Sequence, residues 1–181
     1  EASKVVIEYL AELTGRKIQI IESKREKGTS NESKLFLYYC SAHHFTNETP
    51  EIRDTILDIV NRGKNIDILS YSKALAKDII SDKSLGGKLK EKFGEINDCT
   101  SENIDNERPE NAPPENRFDN DKCNVGTNFK SGVSIQKENH AFVIILPPRA
   151  TRSTFKNKYG IFSSGITSIV QAIARKRKKG E

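Results

Sequence analysis

The chain has 181 residues, a length typical of one domain. Because 35% of the residues are hydrophobic and 30% are charged, we expect a core accompanied by stretches that contribute little to it. No run approaches the ~20 apolar residues of a membrane-spanning helix, and the first residues lack the pattern of a signal peptide. The net charge of +5 fits a polyanionic partner, but many ordinary domains are as basic.

The cysteines and histidines give little support to metal or nucleophile chemistry. Three cysteines, widely spaced, do not form a disulfide framework or a zinc site, and they fit a reducing, cytoplasmic compartment. Two histidines are adjacent and His140 is isolated, so no pair has the i, i+4 spacing of a helical metal site. We therefore expect no metal site in this chain.

The first 49 residues are predicted to form an appendage consisting of a helix and a β-hairpin. An apolar stripe with helical spacing runs through residues 3–13. Residues 16–21 and 34–40 have the composition of strands, and a polar loop joins them.

From residue 50 onward, helical and strand patterns alternate. Pro50 occupies the favoured first-turn position of a helix, and Gly63 ends that helix. The strands are apolar almost throughout, which is typical of a parallel sheet covered by helices on both faces. The sequence therefore predicts one α/β domain over residues 50–181. Its predicted helices cover 50–62, 73–80, 85–93 and a segment from about 165, and its predicted strands cover 66–72, 95–99, 124–128 and 141–146.

Residues 100–122 differ from the rest of the domain. They contain three prolines, many Asn, Asp and Glu residues, and almost no aliphatic side chains. Such a segment buries too little apolar surface to offset the entropy lost on ordering. We therefore predict a mobile acidic loop over 100–122.

Three segments carry the candidate chemistry. IDILSYSKALAK (66–77) is a strand that ends in hydroxyls and runs directly into a helix. VGTNFKSGVSI (125–135) places Thr127 and Asn128 at the carboxyl edge of the sheet, where a hydroxyl and backbone N–H groups can bind a phosphate. Gly132 would let the backbone approach closely, although an ordinary turn explains this glycine equally well.

The third segment is QAIARKRKKG (171–180), which follows the last strand. In a continuous helix, Gln171, Arg175 and Lys178 are spaced i, i+4, i+7 and share one face. Such a face can reach the phosphates of a nucleotide. The alternative is a solvated basic helix end that complements the helix dipole, or a basic tail.

Taken in this order, the three segments resemble motifs IV, V and VI of the second RecA-like domain of superfamily 2 helicases and translocases. The resemblance covers roughly residues 51–180. It implies a RecA-like three-layer fold, nucleic acid as partner with DNA favoured over RNA, and a preceding RecA-like domain that mainly holds ATP and Mg²⁺. The residue roles that it implies are catalytic for Arg175, Arg177 and Lys178, cofactor-binding for Gln171 and Gly132, and nucleic-acid-binding for Ser70, Thr127, Asn128 and Lys130.

The chain departs from the family pattern at three positions. Ala174 replaces the usual glycine of motif VI, and Ser134 stands where motif V often has an aspartate. Lys178 occupies the place of the second arginine, with Arg177 one residue earlier, so either could serve. No G-x-x-x-x-G-K-[ST] segment occurs, and we expect no ATP hydrolysis by this chain alone.

Two other functions remain open from the sequence. The first is a non-enzymatic, basic α/β module that binds nucleic acid through the cationic residues of 149–158 and the C-terminal run. The second is a structural or regulatory α/β domain whose basic tail is a linker.

Overall fold

A computed structural model describes residues 34–100, 118–127, 129, 133–148 and 166–173 of the chain. Within these ranges, helices and strands follow one another much as the sequence predicts. The helices are α1 (Pro50–Asn61), α2 (Lys73–Ile80), α3 (Ser84–Phe93) and α4 (Ile166–Ile173), and the strands are β1 (Asn65–Ser70), β2 (Ile96–Cys99), β3 (Cys123–Gly126) and β4 (His140–Ile145).

The helix boundaries have identifiable local causes. Pro50 opens α1, where its missing N–H is not needed. The chain leaves α1 through Gly63, whose φ of +78° suits a residue without a Cβ atom. Ser72 caps α2, since its hydroxyl accepts a hydrogen bond of 3.1 Å from the backbone N–H of Leu75.

The four strands form one parallel sheet in the order β2-β3-β1-β4. The central strand β1 pairs with β3 on one side and with β4 on the other. Asp67 of β1 is aligned with Asn124 of β3 and with Phe142 of β4, and Asn124 is aligned in turn with Asn97 of β2. All four strands therefore present their carboxyl ends at the same edge.

Each face of the sheet packs against its own hydrophobic cluster. On one face, Ile66, Ile68 and Val125 pack with the apolar sides of α1, α2 and α3. On the other face, Leu69 and Cys99 pack with a second cluster contributed by the chain after β3 and by α4. The members from outside the sheet are Phe129, Val133, Ile135 and Ala172, with Ile169 at the margin.

The predicted α/β class and the parallel sheet are confirmed. A parallel sheet flanked by helices is consistent with a RecA-like three-layer fold. The described residues all fall within one compact unit, Asn31–Glu181. The domain boundary at residue 50 stays a prediction, and the predicted appendage helix and first hairpin strand lie outside the described residues.

The second predicted hairpin strand, residues 34–40, is not formed. This run has no regular secondary structure, and its large side chains, Leu35 to Tyr39, are 66–88% exposed. A strand is stable only beside a hydrogen-bonding neighbour, and no part of the chain that the structure describes pairs with these residues. The predicted hairpin partner, residues 16–21, lies outside the described residues.

The predicted acidic loop begins and ends in packed residues. Thr100 is buried, and its hydroxyl donates a 2.7 Å hydrogen bond to the Asp98 carboxylate. At the other end, the Phe118 ring lies 5.4 Å from that of Phe129, and Asp119 accepts and donates hydrogen bonds with Asn124. Residues 101–117 lie outside the described ranges, and the mobility of 100–122 stays a prediction.

Candidate functional site

The carboxyl edge of the sheet brings two of the predicted nucleic-acid-binding residues together. Leu69 of β1 is aligned with Gly126 of β3, so the residues that follow them, Ser70 and Thr127, lie at adjacent strand ends. Parallel α/β sheets bind their ligands at this edge. The strand register thus places the two hydroxyl residues as neighbours.

Ser70 has a structural role that sequence reasoning did not anticipate. Its side chain is fully buried. The hydroxyl donates to the backbone carbonyl of Ser72 at 3.0 Å and accepts from the Ser72 N–H at 3.2 Å. Ser70 therefore holds the turn from β1 into the capping residue of α2, and its contact with nucleic acid stays a prediction.

Thr127 is fixed by a close approach of β2 and β3. Its backbone N–H donates a 3.1 Å hydrogen bond to the carbonyl of Cys99. A Cβ atom on the preceding residue, Gly126, would lie 2.1 Å from the carbonyl carbon and oxygen of Cys99. Only glycine permits this approach, and the backbone at the start of motif V is tied to β2 as a result.

A charged group lies at the same end of β2. Asp98 accepts hydrogen bonds from the Lys77 ammonium and from the backbone N–H and hydroxyl of Thr100, the latter two at 2.9 and 2.7 Å. Burial alone would raise the pKa of the Asp98 carboxyl, but these hydrogen bonds outweigh it and hold the pKa below its ordinary value of 3.8. The carboxylate is therefore ionised at neutral pH.

Helix α4 carries the only predicted motif VI residue within the described ranges. Gln171 is exposed on this helix, while the neighbouring Ala172 is fully buried against the cluster around Leu69 and Cys99. The helix thus packs over the carboxyl half of the sheet and keeps Gln171 accessible. The predicted site residues that lie outside the described ranges are Asn128, Lys130, Gly132, Arg175, Arg177 and Lys178.

A buried polar row crosses the amino half of the sheet, and sequence reasoning missed it. The Asn97 side chain donates to Oδ1 of Asn124 at 2.7 Å, and Nδ2 of Asn124 donates to Oδ1 of Asp67 at 2.8 Å. The backbone N–H of Asn124 donates to the same carboxylate oxygen at 2.9 Å. Three neighbouring strands are therefore linked through side chains that are wholly or partly buried.

A lysine and a histidine side chain meet the same aspartate. The Lys137 ammonium lies 2.6 Å from Oδ1 of Asp67, and Nε2 of His140 lies 2.9 Å from its Oδ2. The side chains of Asp67 and His140 are fully buried, and that of Lys137 is 6% exposed. Lys137 also donates to the carbonyl of Lys122 and lies 5.4 Å from the centre of the Phe118 ring. A buried carboxylate requires such partners, since an unpaired charge would be costly.

The neighbouring cysteine, Cys123, is buried beside Asp67. Burial, together with the negative charge of Asp67, raises the pKa of the Cys123 thiol to about 12. The thiol is therefore protonated at neutral pH, whereas nucleophilic attack and metal binding use the thiolate.

A polar cleft of about 530 Å³ opens at the amino edge, beside Lys137. Several of its lining side chains are engaged within the chain. Lys122 pairs with Glu95 at 2.8 Å, and Asn120 accepts from the Gln136 N–H at 2.9 Å. The cleft lies at the end of the sheet opposite to the predicted ligand edge.

Two kinds of site are not found in the part of the chain that the structure describes. It holds no group of three or more His, Cys, Asp or Glu residues placed to bind a metal ion. None of its helices is both long enough and apolar enough to cross a membrane.

No protein-family model, curated protein or solved structure matches the chain.

Proposed function

We propose that this chain is the C-terminal RecA-like domain of an ATP-dependent superfamily 2 helicase or translocase. The observation that carries the proposal is the placement of Ser70 and Thr127, which come from motifs IV and V, at adjacent strand ends of one carboxyl edge. The meeting of these two segments, which lie far apart in the chain, supports the proposal.

In this proposal, the carboxyl edge contacts the backbone of nucleic acid, with DNA favoured over RNA. Thr127, Asn128 and Lys130 contribute a hydroxyl, an amide and an ammonium group, which suit phosphate oxygens rather than particular bases. A translocase must pass any sequence, so contacts of this kind fit its task. The close β2–β3 contact at Gly126 supports the role of Thr127, because it fixes the backbone there.

The ATP site would lie between this domain and a preceding RecA-like domain, which mainly holds ATP and Mg²⁺. Arg175, with Arg177 or Lys178, would stabilise the negative charge on the transferring γ-phosphoryl group. Gln171 and Gly132 would contact the nucleotide. The exposed position of Gln171 on α4, which packs over the carboxyl half of the sheet, supports this assignment.

The test is ATP hydrolysis by the parent protein that carries the preceding domain. Arg175→Ala is expected to lower kcat by at least ~10²-fold while ATP affinity and folding change little, because the lost charge acts mainly in the transition state. Arg177→Ala and Lys178→Ala, measured together, identify the second cation, since only the residue that reaches phosphate has a comparable effect.

Lys88→Ala is the matched control, since Lys88 is an exposed lysine of α3 that the proposal leaves out of the site. It removes one positive charge and is expected to leave kcat unchanged. Near-normal turnover in a folded Arg175→Ala parent would end the motif VI assignment, and a parent without a Walker A segment would end the proposal itself.

A further inference from the structure

We propose that two copies of this chain form a dimer in which the exposed run of each copy, Leu35 to Tyr39, adds as a further strand to the outer side of β4 in the other copy. This inference does not depend on the proposed function. It rests on two matching features of the described residues, which are an apolar run and a sheet edge that have no strand beside them in that part of the chain.

The exposed run has the composition of a buried strand. Its five side chains are 66–88% exposed, and none of them is charged. Large aliphatic and aromatic residues at every position are typical of a strand that is covered on both faces. Contiguous apolar surface of this kind marks an interaction site in a folded protein. The run is therefore suited to a partner that offers apolar contacts on both faces.

Strand β4 is the last strand of the described sheet on one side. The Tyr71 N–H donates to the Ile145 carbonyl at 3.0 Å, so the backbone groups of Ile145 face β1. Successive residues of a strand direct their backbone groups to opposite sides, and Phe142 and Ile144 therefore direct theirs away from β1. Among the described residues, no strand pairs with this outer side.

The side chains of β4 are incompletely covered on both faces of the sheet. Ile68 and Leu69 of the central strand β1 are fully buried, whereas Val143 on one face and Phe142 on the other are only partly buried. Residues 141–145 carry no charge, although exposed edges are usually protected by charges or proline. An added strand that is apolar on both faces would extend both hydrophobic clusters.

The run leaves its own domain beside the carboxyl end of β4. Phe45 follows the run closely and packs edge-to-face on Tyr71, with ring centres 6.2 Å apart. Tyr71 is in turn hydrogen-bonded to Ile145, the last residue of β4. Residues 41–44 therefore form a short link between the run and a fixed point at this end of the sheet.

This link favours a second copy over the run's own sheet. Within one chain it permits only a parallel addition to β4, which is the slightly weaker pairing, and the single chain leaves the run exposed. When two copies lie side by side with antiparallel β4 strands, each run lies antiparallel to the β4 of the other copy. The run then crosses two strand spacings, ~10 Å, which the four residues 41–44 span at ~3.3 Å each.

The exchange buries enough surface for a stable dimer. Each run contains three aromatic residues, Phe36, Tyr38 and Tyr39. Since an aromatic side chain buries ~150–250 Å², the two runs supply on the order of 1,000 Å² before the leucines and the β4 edges are counted, against ~1,200–2,000 Å² in specific interfaces. Each copy offers one run and one outer side of β4, so a reciprocal exchange closes at two copies.

The experiment uses the 181-residue chain with a reductant, so that the free cysteine beside the run, Cys40, cannot link two copies. Multi-angle light scattering measures the mass at concentrations up to ~100 µM, where an interface of this size should be populated. Residue-resolved amide hydrogen exchange measures the protection of β4. The test variant is Leu37→Lys, at the centre of the run. Ile173→Lys is the matched control, since it also replaces an exposed aliphatic side chain, on α4, with lysine.

We expect the wild type to have the mass of two chains at high concentration and of one chain on dilution. The amides of Phe142 and Ile144 should exchange in the monomer and become protected in the dimer. Leu37→Lys should fold normally and raise the dissociation constant of the dimer by at least ~10²-fold, because both exchanged runs lose a buried leucine. Ile173→Lys should dimerise like the wild type.

Each contrary result overturns the proposal. A wild type that stays monomeric, or a Leu37→Lys variant that dimerises as tightly, would show that the run joins no second copy. Dimers without protection at Phe142 and Ile144 would place the contact elsewhere, and protection of these amides in a monomer would show that β4 pairs within one chain. Assemblies larger than a dimer would contradict the closed exchange. A Leu37→Lys chain that cannot fold would show that the run packs within the monomer.

Discussion

The amino half and the carboxyl edge of this sheet are held together by different means. Across the amino half, the polar side chains of Asn97, Asn124 and Asp67 form a hydrogen-bonded row through three strands. At the carboxyl edge, β2 and β3 meet through their backbones, with Gly126 against Cys99. The most conspicuous buried charges therefore lie away from the edge where a parallel sheet binds ligands.

This difference bears on how a functional site is recognised. A buried aspartate with a lysine and a histidine resembles catalytic machinery when it is considered alone. Here Oδ1 of Asp67 accepts hydrogen bonds from Asn124 and Lys137, and Oδ2 lies 2.9 Å from Nε2 of His140, so the carboxylate is held by partners within the chain. The end of the strands at which a group lies, amino or carboxyl, therefore distinguishes the two regions better than the burial of its charge does.

The largest expected loss of stability comes from disrupting the backbone contact at the carboxyl edge. Gly126→Ala places a Cβ atom 2.1 Å from the backbone of Cys99, and the strands must separate to admit it. We expect a loss of about 3 kcal/mol in the free energy of unfolding, measured with urea, which is the upper range for overpacking.

Gly63→Ala is the control for this change. A Cβ atom at Gly63 would meet nothing within 4 Å. The only free-energy cost of the substitution is that alanine must adopt a φ of +78°. We therefore expect a loss of about 1 kcal/mol. Equal losses for the two variants would show that β2 and β3 are not in close contact.

A smaller loss of stability is expected when the ionised carboxylate of Asp98, at the end of β2, is removed. The pKa of Asp98 is lowered in the folded protein, so its contribution to stability is present above the ordinary pKa of 3.8 and is lost as the pH falls through the folded value. Asp98→Asn should therefore be less stable than the wild type at pH 7, by less than Gly126→Ala. The difference should shrink as the pH falls below about 4.

Thermal unfolding measured from pH 7 to pH 3 checks this expectation. Asp58→Asn is the comparison, because Asp58 forms an exposed i, i+4 pair with Arg62 and such pairs contribute little. A stability difference for Asp98→Asn that does not change with pH would contradict the role given to its charge.

Local signals in the sequence predicted most of the fold. Pro50 and Gly63 bound α1, and the apolar strands alternating with helices indicated a parallel sheet. The same signals placed Ser70 and Thr127 at strand ends. They failed for residues 34–40, which have no regular secondary structure, because β-propensity reflects packing against neighbours more than an intrinsic backbone preference.

The polar row could not be predicted because its members meet only through strand register. Asp67, Asn124 and His140 are widely separated along the chain, and His140 looked isolated in the sequence. One signal was available. Asp67 interrupts an otherwise apolar strand, and a buried carboxylate must be paired. The sequence did not say which residues would pair with it.

The most direct test of the central claim is the salt dependence of nucleic-acid binding by the 181-residue chain. If the carboxyl edge contacts phosphates, the logarithm of the affinity for single-stranded oligonucleotides should fall steeply and linearly with the logarithm of salt concentration. Oligothymidine and mixed sequences of equal length should bind with similar affinity. Weak salt dependence together with a sharp sequence preference would contradict the account and favour a module that reads bases.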